Sequence, residues 1–452
     1  MQPIFPSIAP AGARPVDVVT ALNEAPFTAL HRRAILLALL ILMLDGFDIQ
    51  AVAFAAPALT SSWHIARAQL APVLTSGLIG MAIGAGLLGR LADHFGRKRM
   101  LFVTVLLLGG GSLLCAAAQT PTQLEIFRLL TGLGLGAPLP LATALLAEFS
   151  PRSSRNLYVG LGCIGIPLGG LAGAAIAQQL VPEFGWPSIF VFGGLLPLAL
   201  LLPLWHGMVE SPRFLARRPQ DASQLADLLN RMTASRRYGP HDRFFITEAA
   251  VPERAGLSGL MNEHWMLPTL ALWSAFFANV FVVYIFFSWL PTLLASVGLT
   301  MPQAIHGSLL FNLGGLLGVI LTAIMSTTRF ARLFFFFVIA VAIGMLWSIG
   351  QDPVFTLHAG ATSSLSWSLI AAGFGVNGAQ LILYLLATSL YPTALRATGV
   401  GLASGVSRFG GVCSGVFGGL LLAQTPGTMF SILAAIVGIV FLATLGLQRH
   451  LN

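Results

Sequence analysis

Twelve separate stretches of this 452-residue chain are apolar for long enough to cross a membrane, and that feature leaves little freedom in the fold. They run over residues 34–59, 68–90, 100–118, 123–148, 156–180, 187–208, 266–296, 303–326, 332–350, 362–390, 398–422 and 427–447. A helix spanning the hydrocarbon core needs roughly 20 mostly apolar residues. Composition agrees, with 56% hydrophobic and only 9% charged residues, where a soluble domain carries about 25% charged. The expectation is an all-α integral membrane protein of twelve transmembrane helices in two six-helix bundles.

The net charge of +8 raises the question of nucleic acid, and the placement of the charges answers it. With the N-terminus in the cytoplasm, Arg32, Arg33, Arg90, Arg97, Lys98, Arg99, Arg152, Arg155, Arg329, Arg332, Arg396, Arg449 and the arginines from Arg213 to Arg254 all fall inside. The opposite loops hold little more than Arg67. This asymmetry follows the positive-inside rule, puts both termini in the cytoplasm and excludes a nucleic-acid footprint. The layout then reads as a tail (1–30) with no signal peptide, a first bundle (31–208), a cytoplasmic linker (209–265), a second bundle (266–447) and a short tail (448–452). Residues 16–30 and the stretch "DASQLADLLNRM" in the linker are candidate short helices.

Two weak internal matches support related halves. Pro57-Ala-Leu59 is echoed 234 residues later by Pro291-Thr-Leu293, and Pro151 with Arg155 is echoed 241 residues later by Pro392 with Arg396. Parallel repeats of this kind describe transporter halves that rock around a midplane site. Twelve helices suffice for a monomer. The three cysteines, Cys115, Cys163 and Cys413, lie in separate apolar runs and read as small buried hydrophobes.

The sharpest motif is "GRLADHFGRKR", residues 89–99, in the short loop between the second and third runs. Gly96 permits a tight turn, Asp93 ends one helix, and Arg97, Lys98 and Arg99 form a basic cluster. An acid able to pair across to a neighbouring helix end in one conformation and release it in another is the physical content of a gate. The pattern Gly89-x-Leu91-Ala92-Asp93-x-x-Gly96-Arg97-Lys98 resembles the signature loop of the major facilitator superfamily. Arg128-x-x-x-Gly132-x-Gly134-x-Gly136 and Glu148-x-x-Pro151-x-x-x-Arg155 are similar to its helix 4 pattern. "ESPRFL" (210–215) and "YPTALRATGVG" (391–401) resemble segments of its sugar-porter-like branches.

Asp45-Gly46-Phe47-Asp48 in the first run resembles the acidic signature of the aromatic acid:proton symporter branch, and "SRFGG" (407–411) resembles that branch's helix 11 segment. The resemblance implies proton-driven uptake of benzoate-type or hydroxybenzoate-type anions across a bacterial inner membrane, with the proton as coupling ion and no other cofactor. Two positions depart from the pattern. Thr327 stands where the 234-residue offset projects Asp93, so the second half lacks the acid of that gate, and Leu141 stands where many relatives carry Asn.

Depth can be estimated from the residues alone. A helix entering the hydrocarbon near Leu36 places Asp45 roughly 14 Å deep, close to the middle of a core about 30 Å thick. Asp48, three residues on, is a neighbour on the same face. Intramembrane acids recur in proton relays, and the pair is the candidate proton-coupling site; its rival reading is a structural pair bonded to neighbouring helices. Arg408, roughly 15 Å into helix 11, offers a rigid fork for a substrate carboxylate, or pairs with an acid such as Asp45. Arg128 reads as part of a structural or gating charge network, with substrate contact as the rival. Glu148, with Arg155, Arg396 and the signature loop, makes an inner gate.

Asn279, projected from Asp45 by the same offset, offers an amide to substrate or to a neighbouring helix. Gln380 is a polar cavity candidate, and Phe47, Tyr284 and Tyr384 are candidates to stack on a ring, although packing is the common role of such aromatics. No catalytic constellation, metal-ligand spacing or phosphate-binding GxxxxGK[ST] loop is present, so neither an enzyme nor an ATP-driven pump is expected. The remaining rivals are a carrier of another solute, sugar-like or cationic, an exporter, and a sensor that binds without turnover.

Overall fold

The computed structural model describes residues 14–150, 158, 160–162, 164–233, 237–246, 257–352, 363–391 and 393–448. Its twelve candidate spans are α1 (Ala29–Trp63), α2 (Ala71–Phe95), α3 (Arg97–Ala116), α4 (Pro121–Phe149), α5 (Gly160–Phe184), α6 (Pro187–Gly207), α7 (Met266–Ser296), α8 (Met301–Met325), α9 (Ala331–Gly350), α10 (Ser363–Leu390), α11 (Thr398–Leu422) and α12 (Pro426–Leu447). They build two six-helix bundles, α1–α6 and α7–α12, and each coincides with one of the apolar runs.

Local chemistry sets the helix ends. Thr120 caps α4 by accepting from Gln123 N at 3.2 Å, and Gln303 returns a bond to Thr300 N at 3.0 Å to start α8. Gly96, at φ +98°, turns the chain from α2 straight into α3, in a backbone region that favours glycine. The first helix starts well before the apolar run because His31 is buried in its first turn, where its Nε2 lies 3.2 Å from the Phe149 carbonyl. The fourth span is not continuous. Its regular parts are Pro121–Leu135 and Pro138–Phe149, since Pro138 and Pro140 remove two backbone donors.

Before α1, Pro15–Asp17 forms a short strand, β1, parallel to β2 (Arg243–Phe245) of the linker. A six-residue helix, Val18–Asn23, follows β1 and packs Val18 and Leu22 against Leu225, Leu228, Leu229 and Met232 of the linker helix Ala222–Thr233. This apolar cluster continues into the first bundle through Leu30, Leu37, Leu88 and Leu204. The N-terminal segment, the linker and the 89–99 loop therefore share one face of the molecule, referred to below as the loop face.

The other large apolar cluster crosses between the bundles, joining Phe47, Phe54 and Trp186 of the first to Phe286, Trp289 and Phe311 of the second. The two bundles meet along their far halves. There Gly415 and Gly419 bring α11 against Thr75 and Ala71 of α2, and Gln178 Nε2 donates to the Pro302 carbonyl at 3.0 Å. Toward the loop face, Gly86 and Gly89 of α2 and Gly401 and Gly405 of α11 have no atom within 4 Å of where a Cβ would stand. The cross-bundle contacts named here lie in the middle and far parts of the spans, and a cavity opens at the far ends of α1, α7 and α11 between Thr60, Ser296 and Leu422.

Within the first bundle, α1 and α5 cross backbone to backbone. A Cβ at Gly46 would overlap the Ile166 carbonyl, and one at Gly169 would overlap that of Met43. Small residues permit this approach, which matters in lipid because packing rather than hydrophobicity drives helix association. Gly46→Ala should therefore cost about 1–3 kcal/mol through overpacking and lower the apparent Tm of the detergent-solubilised protein. An unchanged Tm would contradict the α1–α5 contact.

Candidate functional site

The two aspartates of α1 diverge. Residues three apart on a helix lie about 60° apart around its axis, and here that angle sends them to different partners. Asp48 reaches α4, where Arg128 Nη1 donates to its Oδ2 at 2.8 Å and Nη2 lies 3.4 Å from its backbone carbonyl. Both side chains are buried, at 1% and 5% exposure. Gly77 of α2 leaves room for the guanidinium, since a Cβ there would stand 3.2 Å from Arg128 Nη2. A charge removed from water is costly unless paired; here each charge has its counter-ion, while Asp48 Oδ1 and Arg128 Nε have no hydrogen-bond partner among the described residues.

Asp45 is as deeply buried, at 3% exposure, yet its Oδ1 has no hydrogen-bond partner among the described residues. The cation near it is Arg408 of α11, whose charge acts on both Asp45 and Tyr284. No ion pair joins Asp45 to Arg408. The guanidinium instead faces two backbone carbonyls of the first bundle, Met81 and Gly136, each at 3.5 Å. Tyr284 of α7 donates its hydroxyl to Met81 Sδ at 3.6 Å. Asp45, Met81, Tyr284 and Arg408 thus bring α1, α2, α7 and α11 together where the bundles adjoin.

Deeper in the second bundle, Asn279 is fully buried and donates to the Val376 carbonyl at 3.2 Å and to Gln380 Oε1 at 2.8 Å. Its own Oδ1 has no partner among the described residues. Tyr384, one turn beyond Gln380, packs edge-on against Phe276 with ring centroids 5.0 Å apart. Phe47 lies elsewhere. It fills the space left by Gly173 and Gly193 and sits 5.7 Å from the Phe192 ring, within the first bundle.

At the loop face, Arg97 Nη1 lies 2.5 Å from Glu148 Oε1 of α4. Glu210 Oε1 accepts from the backbone N–H groups of Arg97 and Lys98, at 2.8 and 3.1 Å, which places a carboxylate on the N-terminus of α3. Ser211 donates to Glu148 and completes the circuit. The Gly96 turn is tight because a Cβ there would meet Glu210, and Lys98 Nζ sits 5.4 Å from the Trp205 ring centroid. Asp93 is exposed in this state and takes no part in the network. Gly89, a turn before Asp93, has no atom within 4 Å of where a Cβ would stand. Arg155 lies outside the described residues, as does the side chain of Arg396.

The profile of the Major Facilitator Superfamily matches residues 38–415, most of the chain. The chain belongs to the major facilitator superfamily. A gallate transporter of Pseudomonas putida is 38% identical over 410 residues, covering 90% of this chain and 89% of that protein. A 4-hydroxybenzoate transporter of the same organism is 36% identical over 433 residues, covering 95% of each. Among solved structures, the xylose transporter of E. coli in a partially occluded inward-open conformation aligns with TM-score 0.71 over 93% of this chain and 98% of its own, at 18% identity, a likeness of fold. This major facilitator protein is a multi-pass transporter of the inner membrane and not an enzyme.

Four residues stand out whose partnerships the sequence motifs did not show. Gln50 and Asn312 exchange two hydrogen bonds, at 3.1 and 2.8 Å, and tie α1 to α8 between the bundles. Glu210 belongs to a recognised segment, but only the fold shows that it caps α3. Met81 matters through its carbonyl and sulfur, which no residue-type pattern reveals.

The contrast between the aspartates predicts opposite effects of the same substitution. Asp48→Asn leaves the Arg128 charge buried without its counter-ion and should cost about 3–5 kcal/mol, seen as a lowered Tm and a loss of monodisperse protein. Asp45→Asn removes no bond and should leave Tm nearly unchanged. Equal losses in the two variants would contradict this division.

Proposed function

We propose that this transporter takes up an aromatic carboxylate of the benzoate or hydroxybenzoate class together with a proton, by alternating access. The observation that carries the reading is the juxtaposition of Asp45, buried with an unpartnered carboxyl oxygen, and Arg408, a half-buried cation that holds no carboxylate among the described residues. Intramembrane acids without a structural partner belong to proton paths. A guanidinium held only by two long carbonyl contacts is available to a planar carboxylate, which it binds through two parallel charge-assisted hydrogen bonds. The gallate and 4-hydroxybenzoate transporters, each similar over about nine-tenths of the chain or more, support the substrate class.

In this scheme the anion neutralises Arg408 while Asp45 carries the proton, so both charges move compensated through the low-dielectric zone. Tyr284, Tyr384, Asn279 and Gln380 stand around the second-bundle side and supply ring contact and hydrogen bonds. Phe47 stays a packing residue. The Arg97–Glu148–Ser211–Glu210 circuit and the signature loop, with Arg155 and Arg396, form the inner gate, and the positive-inside pattern places the loop face and both termini in the cytoplasm. The first bundle spans 31–208, the linker 209–265 and the second bundle 266–447, and the working unit is a monomer.

Purified protein in proteoliposomes should accumulate gallate, 4-hydroxybenzoate or benzoate when an inward proton gradient is imposed, and not without it. Arg408→Lys should raise KM about tenfold or more, the scale of losing charged hydrogen bonds. Accumulation of an organic cation or a sugar in place of the acids, or uptake indifferent to the gradient, would defeat the proposal.

A further inference from the structure

The break in α4 has a chemical consequence at one atom. In a regular helix the carbonyl of residue i accepts from the N–H of residue i+4. The fourth residue after Gly136 is Pro140, which has no N–H, so the Gly136 carbonyl is deprived of its helical donor. In a membrane protein such a freed carbonyl must be satisfied by a neighbour or line a cavity. Pro138 does the same to the Gly134 carbonyl, but the Gly134 position faces α3, where a Cβ would meet Leu108 and Thr104. Gly136 faces α2, and its missing side chain lets α2 and α4 close until it abuts Met81. The Met81 and Gly136 carbonyls then both fall within the span of one guanidinium, and that guanidinium is Arg408, reaching across from the other bundle at 3.5 Å to each.

We propose that Gly136 and Pro140 are positioning residues that build a resting cradle for Arg408: the carbonyl freed by Pro140 holds the guanidinium across the bundle interface until a carboxylate displaces it. The cradle keeps a half-buried cation from standing without acceptors in the empty carrier. Its contacts are long and its acceptors uncharged, so a carboxylate offering two short charge-assisted bonds wins the competition. The cradle also links the bundles, since Arg408 adds a polar tie from α11 to α2 and α4 beside the Gly415 and Gly419 packing. Loading therefore releases one cross-bundle tie at the moment the substrate is bound. The competition with a carboxylate rests on the transport reading above, whereas the cradle itself does not.

The test uses Pro140→Ala and Pro140→Gly, both of which restore an N–H to the Gly136 carbonyl, one with high and one with low helix propensity. Spin labels at Arg231→Cys, on the linker helix packed against the first bundle, and at Thr328→Cys, in the α8–α9 turn of the second, both exposed, report the bundle separation in a cysteine-free background. In substrate-free protein both Pro140 variants should shift the distance distribution. Neither should shift it further once Arg408→Gln has removed the guanidinium. Equilibrium binding of 4-hydroxybenzoate to the Pro140 variants should tighten by about two- to tenfold, the factor set by one released weak hydrogen bond. Distances unchanged by both substitutions, or a shift that persists in the Arg408→Gln background, would overturn the cradle. Absence of 4-hydroxybenzoate binding in the unsubstituted protein, with the Arg408-dependent shift intact, would refute the substrate class and leave the cradle standing.

Discussion

A charge buried in a membrane protein needs a partner, and the arrangement of this transporter follows from which of its charges have one. Asp48 and Arg128 form an ion pair at 2.8 Å and fasten α1 to α4 within the first bundle. That fastening fixes the rotation of α1 and so decides where Asp45, three residues earlier, must point. It points to the interface between bundles, where Arg408 is the cation and the proteins' backbone carbonyls are its only close acceptors among the described residues. One paired and one unpaired aspartate on a single helix leave the first to hold the bundle together and the second free for the proton-coupling role proposed above.

The same division extends along the membrane normal. At the loop face, carboxylates meet a helix N-terminus and a cation, in the Glu210 and Glu148 contacts with α3. At the far half, neutral amides make the cross-bundle ties, in the Gln50–Asn312 pair and the Gln178–Pro302 contact. Neutral ties break at lower desolvation cost than ion pairs, which suits the contacts that must open and close with each cycle. Glycines set the distances over which all of this operates, because α1 with α5 and α2 with α4 approach to backbone contact.

Much of the fold was legible in the sequence, because lipid imposes a length and a composition on every span. The twelve runs correspond to the twelve helices, and the linker helix falls within "DASQLADLLNRM". The departures have local causes. The first helix begins earlier than its apolar run because a buried histidine, not a hydrophobe, anchors its first turn, and the fourth is broken where two prolines lie two residues apart. The candidate site was legible in residue type but not in partnership. Asp45 and Asp48 read as one pair on one face, and the 60° between them separates their partners. Phe47 sits beside both in sequence and turns into the bundle. Asp93, read from the motif as a gate acid, is exposed and outside the Glu210–Glu148 network, a placement that residue identity does not encode. The carbonyls of Met81 and Gly136 carry no side-chain signature at all.

The central claim is that Asp45 couples the proton and does not itself hold the substrate. It is tested most directly by comparing two modes of transport in Asp45→Asn proteoliposomes. One is exchange of labelled against unlabelled 4-hydroxybenzoate at equal pH, and the other is accumulation driven by an inward proton gradient. The account predicts that exchange persists while accumulation is lost. Accumulation that survives the substitution, or exchange that disappears with it in correctly folded protein, would contradict the account.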